Sequence, residues 1–214
     1  MIVAVLANED LKKEWLAKDA GGEVELIWAD SLRALTMTEA DVYFDLLFEM
    51  DNERTERLKQ LLPKTVFVNA VAYTTKMIGY DFIRINAWPT FLQRSLAEIA
   101  LPSSVQEKTI AEIFRQLNWQ YRVVPDITGM ITARIVAMII NEAFYTWGDG
   151  VSSREEIDTA MKLGTNYPMG PFEWSEKIGL HTIYELLKEL GRTDERYTMA
   201  PALISTINEQ VSNP

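Results

Sequence analysis

A long apolar run near the middle of the chain constrains the fold more than any other feature of the sequence. Apolar residues recur there at steps of three and four, which predicts an α-helix over residues 127 to 147. The stripe consists of Ile127, Met130, Ile131, Ile135, Met138, Ile139, Ala143, Phe144 and Trp147. Val136 and Ile140 widen it, so we expect this helix to be buried over most of its circumference. Gly148 is expected to end it.

The residues after this run carry the signals of further helices. Ser152 or Ser153 can cap the next helix, whose first turn holds two acidic residues where the helix dipole favours negative charge. Gly164 is expected to end that helix, and the Pro-Met-Gly-Pro turn at residues 168 to 171 to begin a third. The pattern therefore predicts an all-α domain over residues 126 to 214.

The first half of the chain has a different periodicity, in which short apolar runs alternate with polar stretches. The runs suited to strands are residues 2 to 6, 24 to 28, 40 to 50, 65 to 69, 82 to 86 and 121 to 125. A helix between the first two is expected from about Glu9 to Ala20, closed by Gly21 and Gly22. This alternation predicts an α/β domain with a doubly wound parallel sheet over residues 1 to 125.

Composition excludes several classes of protein. Of 214 residues, 48% are hydrophobic, which supports a buried core. The chain has no cysteine and a single histidine, His181, so we expect neither disulfides nor a metal site. Its net charge of -10 opposes binding to nucleic acid or to anionic membranes. Because no run reaches the length of a membrane span and Met1 leads into an apolar strand without a basic segment, we expect a soluble, cytoplasmic protein.

Residues 126 to 180 contain a series of short motifs at fixed spacing. They are Asp126, Gly129, Arg134, Asn141 to Ala143, Gly150-Val151, Ile157-Asp158, Ala160 to Gly164, Tyr167 to Glu173 and Gly179-Leu180. In this register they resemble the C-terminal domain of the 3-hydroxyacyl-CoA dehydrogenase family, whose pattern includes N-E-A, I-D-x-A-M-K-L-G and Y-P-M-G-P-F-E. More weakly, residues 40 to 49 are similar to the family's A-D-L-V-I-E-A-x-x-E strand. The resemblance implies a truncated Rossmann-like first domain and a place in fatty acid metabolism.

The family transfers hydride between NAD and an acyl-CoA, and its NAD site needs G-x-G-x-x-G after the first strand. These glycines let the pyrophosphate approach a helix N-terminus. Here the turn at residues 7 to 11 reads Ala-Asn-Glu-Asp-Leu, so Glu9 and Asp10 stand where a dianion would bind. Asp30 is interpreted as a loop acid rather than a ribose ligand, and residues 29 to 39 are too few for the family's helical insert. We therefore expect no cofactor.

The resemblance also implies a histidine base oriented by a glutamate, with a serine and an asparagine holding the substrate oxygen. The histidine position falls on Asn86, or on Arg84 if the loop differs, and neither residue is a general base at neutral pH. The serine and asparagine positions fall on Ala72 and Ala133. Glu98 is the one residue that matches a catalytic position of the family. Alternatively, its side chain caps a helix or forms a salt bridge.

The candidate residues of the substrate cleft are Asn69, Tyr73, Arg84, Asn86 and Arg134. Arg134 is expected either to pair with a buried acid, such as Asp126 or Glu142, or to face an anionic ligand.

Three hypotheses follow for function. The first is a family member that has lost NAD binding and dehydrogenase catalysis and acts as a binding or assembly protein. The second is an active NAD-dependent 3-hydroxyacyl-CoA dehydrogenase. The third is a new activity in the old cleft, using Glu98, Asn86 and Tyr73. As in the family, we expect a homodimer built on the C-terminal helical domain, together with an acyl-CoA-like small molecule as a partner.

Overall fold

The computed structural model describes two compact units. Residues 1–18, 24–103, 105 and 107–212 are described. The first unit is Met1–Met130 and the second is Ile131–Pro214. The predicted end of the first helix, at Ala20 to Gly22, lies outside the described residues, and the helix that the structure describes ends at Ala17.

The division falls a few residues after the change of sequence pattern at Asp126. The carboxylate of Asp126 accepts hydrogen bonds from the Thr75 amide at 3.0 Å and from Arg84 Nη1 at 2.6 Å. The amide of Gly129 donates to the carbonyl of Val71 at 2.9 Å. These bonds hold the segment from Asp126 to Met130 on the first unit.

Within the described residues, the first unit holds a seven-stranded sheet in the order β2-β1-β3-β4-β5-β6-β7. The strands are β1 (Ile2–Leu6), β2 (Glu25–Ala29), β3 (Val42–Asp45), β4 (Thr65–Val68), β5 (Ile83–Ile85), β6 (Leu96–Ala100) and β7 (Gln120–Val123). Neighbouring strands are parallel except β5 and β6, which are antiparallel. The expectation of a wholly parallel sheet is therefore corrected. Only residues 86 to 95 connect these two strands, and a parallel crossover needs about a dozen residues or more.

Helices cover both faces of this sheet. They are α1 (Glu9–Ala17), α2 (Leu32–Met37), α3 (Asn52–Lys59), α4 (Thr75–Ile78) and α5 (Glu107–Gln116). Successive side chains of a strand point to opposite faces, so Val3 and Val5 share one apolar cluster with Trp15 of α1. Ala4 and Leu6 belong to a second cluster, which α2, α3 and α4 complete. The predicted doubly wound α/β architecture is confirmed.

The second unit is helical, as predicted. Its helices are α6 (Thr132–Gly148), α7 (Arg154–Thr165), α8 (Pro171–Ile178), α9 (Leu180–Gly191) and α10 (Pro201–Ser212), with a short 3-10 turn at Glu195–Tyr197. Ser153 caps α7 and forms a capping box with Glu156. The helix continues past Gly164 and ends at Asn166, which has a left-handed φ of 55°.

The long helix α6 differs from its sequence prediction in two ways. It begins at Thr132 rather than at Ile127, because Gly129 and Met130 have positive φ angles that a right-handed helix excludes. Its core face consists of Ala133, Val136, Ala137, Ile140, Asn141, Ala143 and Phe144. Much of the predicted apolar stripe lies elsewhere, since Ile131 is 49% and Ile135 is 55% exposed. Helix α6 therefore carries a second apolar face that its own unit leaves uncovered.

The motifs at residues 157 to 173 form hydrogen bonds that connect α7 to the N-terminus of α8. The buried carboxylate of Asp158 accepts hydrogen bonds from the amides of Phe172 at 2.8 Å and Glu173 at 3.1 Å, which caps the N-terminus of α8. A Cβ on Gly170 would lie 2.2 Å from Cγ of Asp158, so only glycine fits there. Glu173 accepts from the Gly170 amide and from Lys162.

Replacing Asp158 with alanine is expected to destabilise the helical unit by about 2 kcal/mol, because two amides lose their acceptor. At about 4–8 °C per kcal/mol for a unit of this size, the melting temperature of the helical unit should fall by roughly 8–16 °C in a calorimetric scan. Thr159→Ala, an exposed neighbour on the same helix, is the control. Equal melting temperatures for both variants would contradict the bracing role.

Candidate functional site

The strand order reverses beside β1, and such a reversal creates a crevice at the carboxyl ends of parallel strands where dinucleotides bind. Here the N-terminus of α1 follows β1 after two residues. The Asn8 side chain accepts a hydrogen bond from the Leu11 amide at 2.9 Å, so the helix end is capped by the chain itself.

Two exposed carboxylates occupy the first turn of α1. Glu9 pairs with Lys12 at 2.8 Å and Asp10 with Lys13 at 3.2 Å. The hydrogen bond from Lys12 lowers the pKa of Glu9, which keeps that side chain ionised. A helix end whose Leu11 amide is already bound to Asn8 and whose first turn carries two carboxylates does not fit a dinucleotide pyrophosphate, because the anion would meet like charges there.

At the end of β3, a fully buried carboxylate anchors α3. Asp45 accepts two hydrogen bonds from Arg54, at 2.6 Å and 2.8 Å, and one from the Leu47 amide at 3.2 Å. Burial raises the pKa of Asp45, and the bonds from Arg54 oppose this rise. Sequence reasoning missed this pair, although an acid closing an apolar strand is a readable signal for a buried partner.

The predicted cleft residue Asn69 joins the ends of three strands. Its side-chain oxygen accepts from the Ala87 amide at 3.0 Å, and its amide nitrogen donates to the Leu46 carbonyl at 3.1 Å. Both polar atoms of the side chain are thus used by the backbone. Tyr73, by comparison, is half-buried against the apolar cluster on the second face of the sheet.

Arg84 is completely enclosed by backbone carbonyls and one carboxylate. Its Nε donates to Ala70 at 2.8 Å and its Nη2 to Val71 at 2.9 Å. Nη1 binds Asp126 at 2.6 Å, and both terminal nitrogens lie 3.3 Å from the Ile127 carbonyl. Burial lowers the pKa of Arg84, and Asp126 opposes that effect. The guanidinium holds the segment after β7 onto the turn after β4.

Asn86, which directly follows β5, lies beside Glu98 of β6. The backbone amide of Asn86 donates to the Glu98 carbonyl at 3.0 Å. The buried side-chain oxygen of Asn86 accepts from the Trp88 amide at 3.4 Å. Glu98 lies opposite Arg122 of β7, and its charge acts on Arg94, whose pKa is lowered by burial. The structure thus gathers Asn69, Arg84, Asn86 and Glu98 at β4 to β6. Arg134 belongs to the helical unit.

The helical unit has a groove of about 910 Å³ beside α6. Its lining comprises Arg134, Ile135, Met138, Ile139, Glu142, Ala143, Thr146, Ser152, Glu156, Ile157, Ala160, Met161, Pro171, Arg196 and Tyr197. The Arg134 guanidinium lies 5.4 Å from the centre of the Tyr197 ring, and its Nε is buried without a hydrogen-bond partner. The two acids suggested for Arg134 are not its partners in the described chain, since Asp126 binds Arg84 and Glu142 forms no ion pair with it.

No group of three or more metal-ligating side chains occurs in the part of the chain that the structure describes. None of the helices in that part is long and apolar enough to cross a membrane.

Comparison with known proteins matches both parts of the chain. Residues 129–211 match the model of the 3-hydroxyacyl-CoA dehydrogenase C-terminal domain. The 3-hydroxybutyryl-CoA dehydrogenase of Clostridioides difficile is 32% identical over 170 residues, which are 77% of this chain and 59% of that protein. The 3-hydroxyadipyl-CoA dehydrogenase of Escherichia coli is 42% identical over 98 residues, which are 45% of this chain and 20% of that protein.

The fold of one solved relative extends over nearly the whole chain. The crystal structure of (S)-3-hydroxybutyryl-CoA dehydrogenase from Ralstonia eutropha superposes with a TM-score of 0.74 and 21% identity, covering 98% of this chain and 94% of that one. In sequence, the chain spans less than two thirds of the curated relatives named above. The motifs, the helical-domain match and the fold together place this chain in the 3-hydroxyacyl-CoA dehydrogenase family.

Proposed function

We propose that this family member does not carry out NAD-dependent dehydrogenation and acts as a binding and assembly protein that self-associates through its helical unit. The observation that carries the proposal is the end of α1, where Asn8 caps the helix and two carboxylates occupy the first turn. A phosphate brought to this helix end would meet two negative side chains, which oppose its binding.

The residues at the expected catalytic positions support the same proposal. Asn86 does not titrate, and the Arg84 guanidinium is fully engaged by Asp126 and backbone carbonyls, so neither side chain can accept a substrate proton. Ala72 and Ala133 have no polar side-chain atom to hold a substrate oxygen. Glu98 remains near Asn86, but no histidine lies there for it to orient.

Calorimetric titration with NADH is expected to give no saturable heat at concentrations that saturate a family dehydrogenase run in parallel. The same preparation should not oxidise NADH when acetoacetyl-CoA is added. Turnover that disappears in a Glu98→Gln variant would reject the proposal and favour the active dehydrogenase. Micromolar NADH binding without turnover would instead favour a new activity in the cleft.

The uncovered face of α6 supports self-association. Ile131 and Ile135 are about half exposed, and Ile135 lines the groove of about 910 Å³. Exposed apolar patches of several hundred Å² are uncommon on monomers. We propose a two-fold homodimer with an interface of at least about 1,000 Å² in total. Light scattering at micromolar concentration tests it, and a monomeric mass would refute it.

The names of the relatives suggest the setting of this function. They are dehydrogenases of 3-hydroxyacyl-CoA compounds. With this support we propose that the chain binds an acyl-CoA and takes part in fatty acid metabolism, and we propose separately that it does so in the cytoplasm. A thermal-shift screen with acyl-CoAs of increasing chain length tests this part. A ligand that binds only the folded state raises the melting temperature, and no shift with any acyl-CoA would count against it.

A further inference from the structure

We propose that the helical unit binds a small organic carboxylate in a pocket at the start of α9, where Arg154 pairs with the carboxylate and apolar side chains cover the body of the ligand. The pocket has a volume of about 460 Å³ and shares no lining residue with the groove beside α6. Binding at this pocket is independent of the self-association and of the loss of NAD binding proposed above.

Arg154 is a partly buried cation of the pocket wall. Within the described residues it takes part in none of the ion pairs. Its Nη2 donates to the Thr206 hydroxyl over a long distance, 3.4 Å, and that hydroxyl donates in turn to the Ala202 carbonyl at 2.8 Å. A guanidinium has five N–H donors in a planar fork that matches a carboxylate, so Arg154 keeps donors for an anion.

Three aromatic rings hold the guanidinium in place. Its central carbon lies 4.0 Å from the centre of the Trp147 ring, 5.2 Å from that of Phe172 and 5.5 Å from that of Phe144. Such distances are typical of favourable contacts between a cation and an aromatic face. A side chain that is already held loses less conformational entropy when a ligand binds, so Arg154 is preorganised for a planar anion.

The other wall residues suit the two parts of such a ligand. Polar hydrogen-bonding groups come from His181, Thr206 and Gln210. Apolar surface comes from Phe144, Phe172 and Leu180. Gly179 also lines the pocket, and α9 begins there without a side-chain cap, so the positive end of its dipole adds to the attraction for an anion. The volume lies within the range of small-molecule sites.

The charges of the pocket favour a monocarboxylate over a phosphate. Arg154 can neutralise one carboxylate through two parallel hydrogen bonds. The exposed Glu176 also lines the pocket, and it would repel the second charge of a phosphate dianion. The apolar part of the wall gains stability by covering hydrocarbon, which inorganic phosphate does not provide. We therefore expect a monocarboxylate with a short apolar chain or ring.

His181 gives a direct measurement of binding, because it is the single histidine of the sequence and its ring protons report on the pocket wall by NMR. At constant pH and ionic strength, hexanoate should shift these signals to saturation. Butyrate should bind about 15-fold more weakly, since each buried CH₂ contributes about fourfold. Hexan-1-ol has the same chain without the charge and should shift them far less. Inorganic phosphate should bind more weakly than hexanoate.

Substitutions test the role of the cation. Arg154→Met should weaken hexanoate binding by at least about tenfold, because the charge-assisted hydrogen bonds are lost. Arg154→Lys keeps the charge without the planar fork and should have an intermediate affinity. Lys177→Met removes an exposed cation of α8 that does not line the pocket, and this control should bind hexanoate as the wild type does. Far-ultraviolet circular dichroism checks that each variant is folded.

Several results would overturn the proposal. No shift of the His181 signals with hexanoate in the wild-type chain would mean that the pocket is not a carboxylate site. Equal binding of hexanoate and hexan-1-ol, or a folded Arg154→Met chain with wild-type affinity, would reject the pairing with Arg154. Phosphate binding tighter than hexanoate would reject the monocarboxylate. If Arg154→Met does not fold, the comparison of hexanoate with hexan-1-ol on the wild-type chain still decides.

Discussion

A chain carrying both Met138→Asp and Ile139→Asp is expected to lose the proposed dimer and to be monomeric at micromolar concentration. Both side chains line the groove beside α6, outside the core face of that helix. Each aspartate would have to lose its hydration in the contact without a positive partner, at several kcal/mol apiece. At 1.4 kcal/mol per tenfold change, the dissociation constant should rise by at least about a thousandfold. Multi-angle light scattering at a series of concentrations measures this change.

A control separates dissociation from misfolding. Leu163→Asp places the same charge on α7 at a side chain that is 83% exposed and does not line the groove. This variant should remain a dimer. The double variant should keep the far-ultraviolet circular dichroism of the wild type, because the core face of α6 is unchanged. A folded double variant that still dimerises would move the interface away from this groove.

Arg84→Met is expected to destabilise the first unit by about 3–5 kcal/mol, the typical effect of breaking a buried ion pair. The substitution leaves Asp126 without its cation and leaves the carbonyls of Ala70 and Val71 without their donors. At about 2–4 °C per kcal/mol, the melting temperature of this unit should fall by roughly 6–20 °C. Calorimetry that resolves the two units measures it.

Two further variants test this result, one at the same position and one at an exposed arginine elsewhere. Arg84→Lys should recover only part of the loss, since one ammonium cannot reproduce the five hydrogen bonds of the guanidinium. Arg33→Met, at an exposed arginine of α2, should change stability by less than about 0.5 kcal/mol. If Arg84→Met were as stable as the wild type, Arg84 would be free for a role in ligand binding.

The density of family motifs in the helical unit has a structural cause. Asp158, Gly170 and Glu173 bind one another through the N-terminus of α8. Asn141 joins α6 to the segment before α10, by donating to Thr198 and accepting from the Ala200 amide, each at 2.9 Å. These residues fix the packing of helices, so a chain can match them closely whatever reaction it carries out. The family resemblance is therefore stronger evidence for the fold than for the activity.

Local sequence signals predicted many elements of this protein, but the six predicted strand runs do not include β6 (Leu96–Ala100). The Ser153 cap, the end of α6 at Gly148 and the apolar strands of the first unit depend on neighbouring residues, whose hydrogen bonds and dihedral angles a short window contains. The absence of a glycine turn after β1 was equally visible, and the structure adds that Asn8 caps the helix there.

Tertiary structure decided what depends on partners distant in sequence. The sequence named Arg84 and Asn69 as cleft candidates but could not show their hydrogen-bond partners, which are Asp126, 42 residues away, for Arg84 and Leu46 and Ala87 for Asn69. On α6, apolar residues occupy two faces, and periodicity alone does not say which face meets the core of the unit. A hydrophobic side chain is more stable away from water, and this can be read from the sequence. Which helix or strand covers that side chain depends on how the whole unit packs.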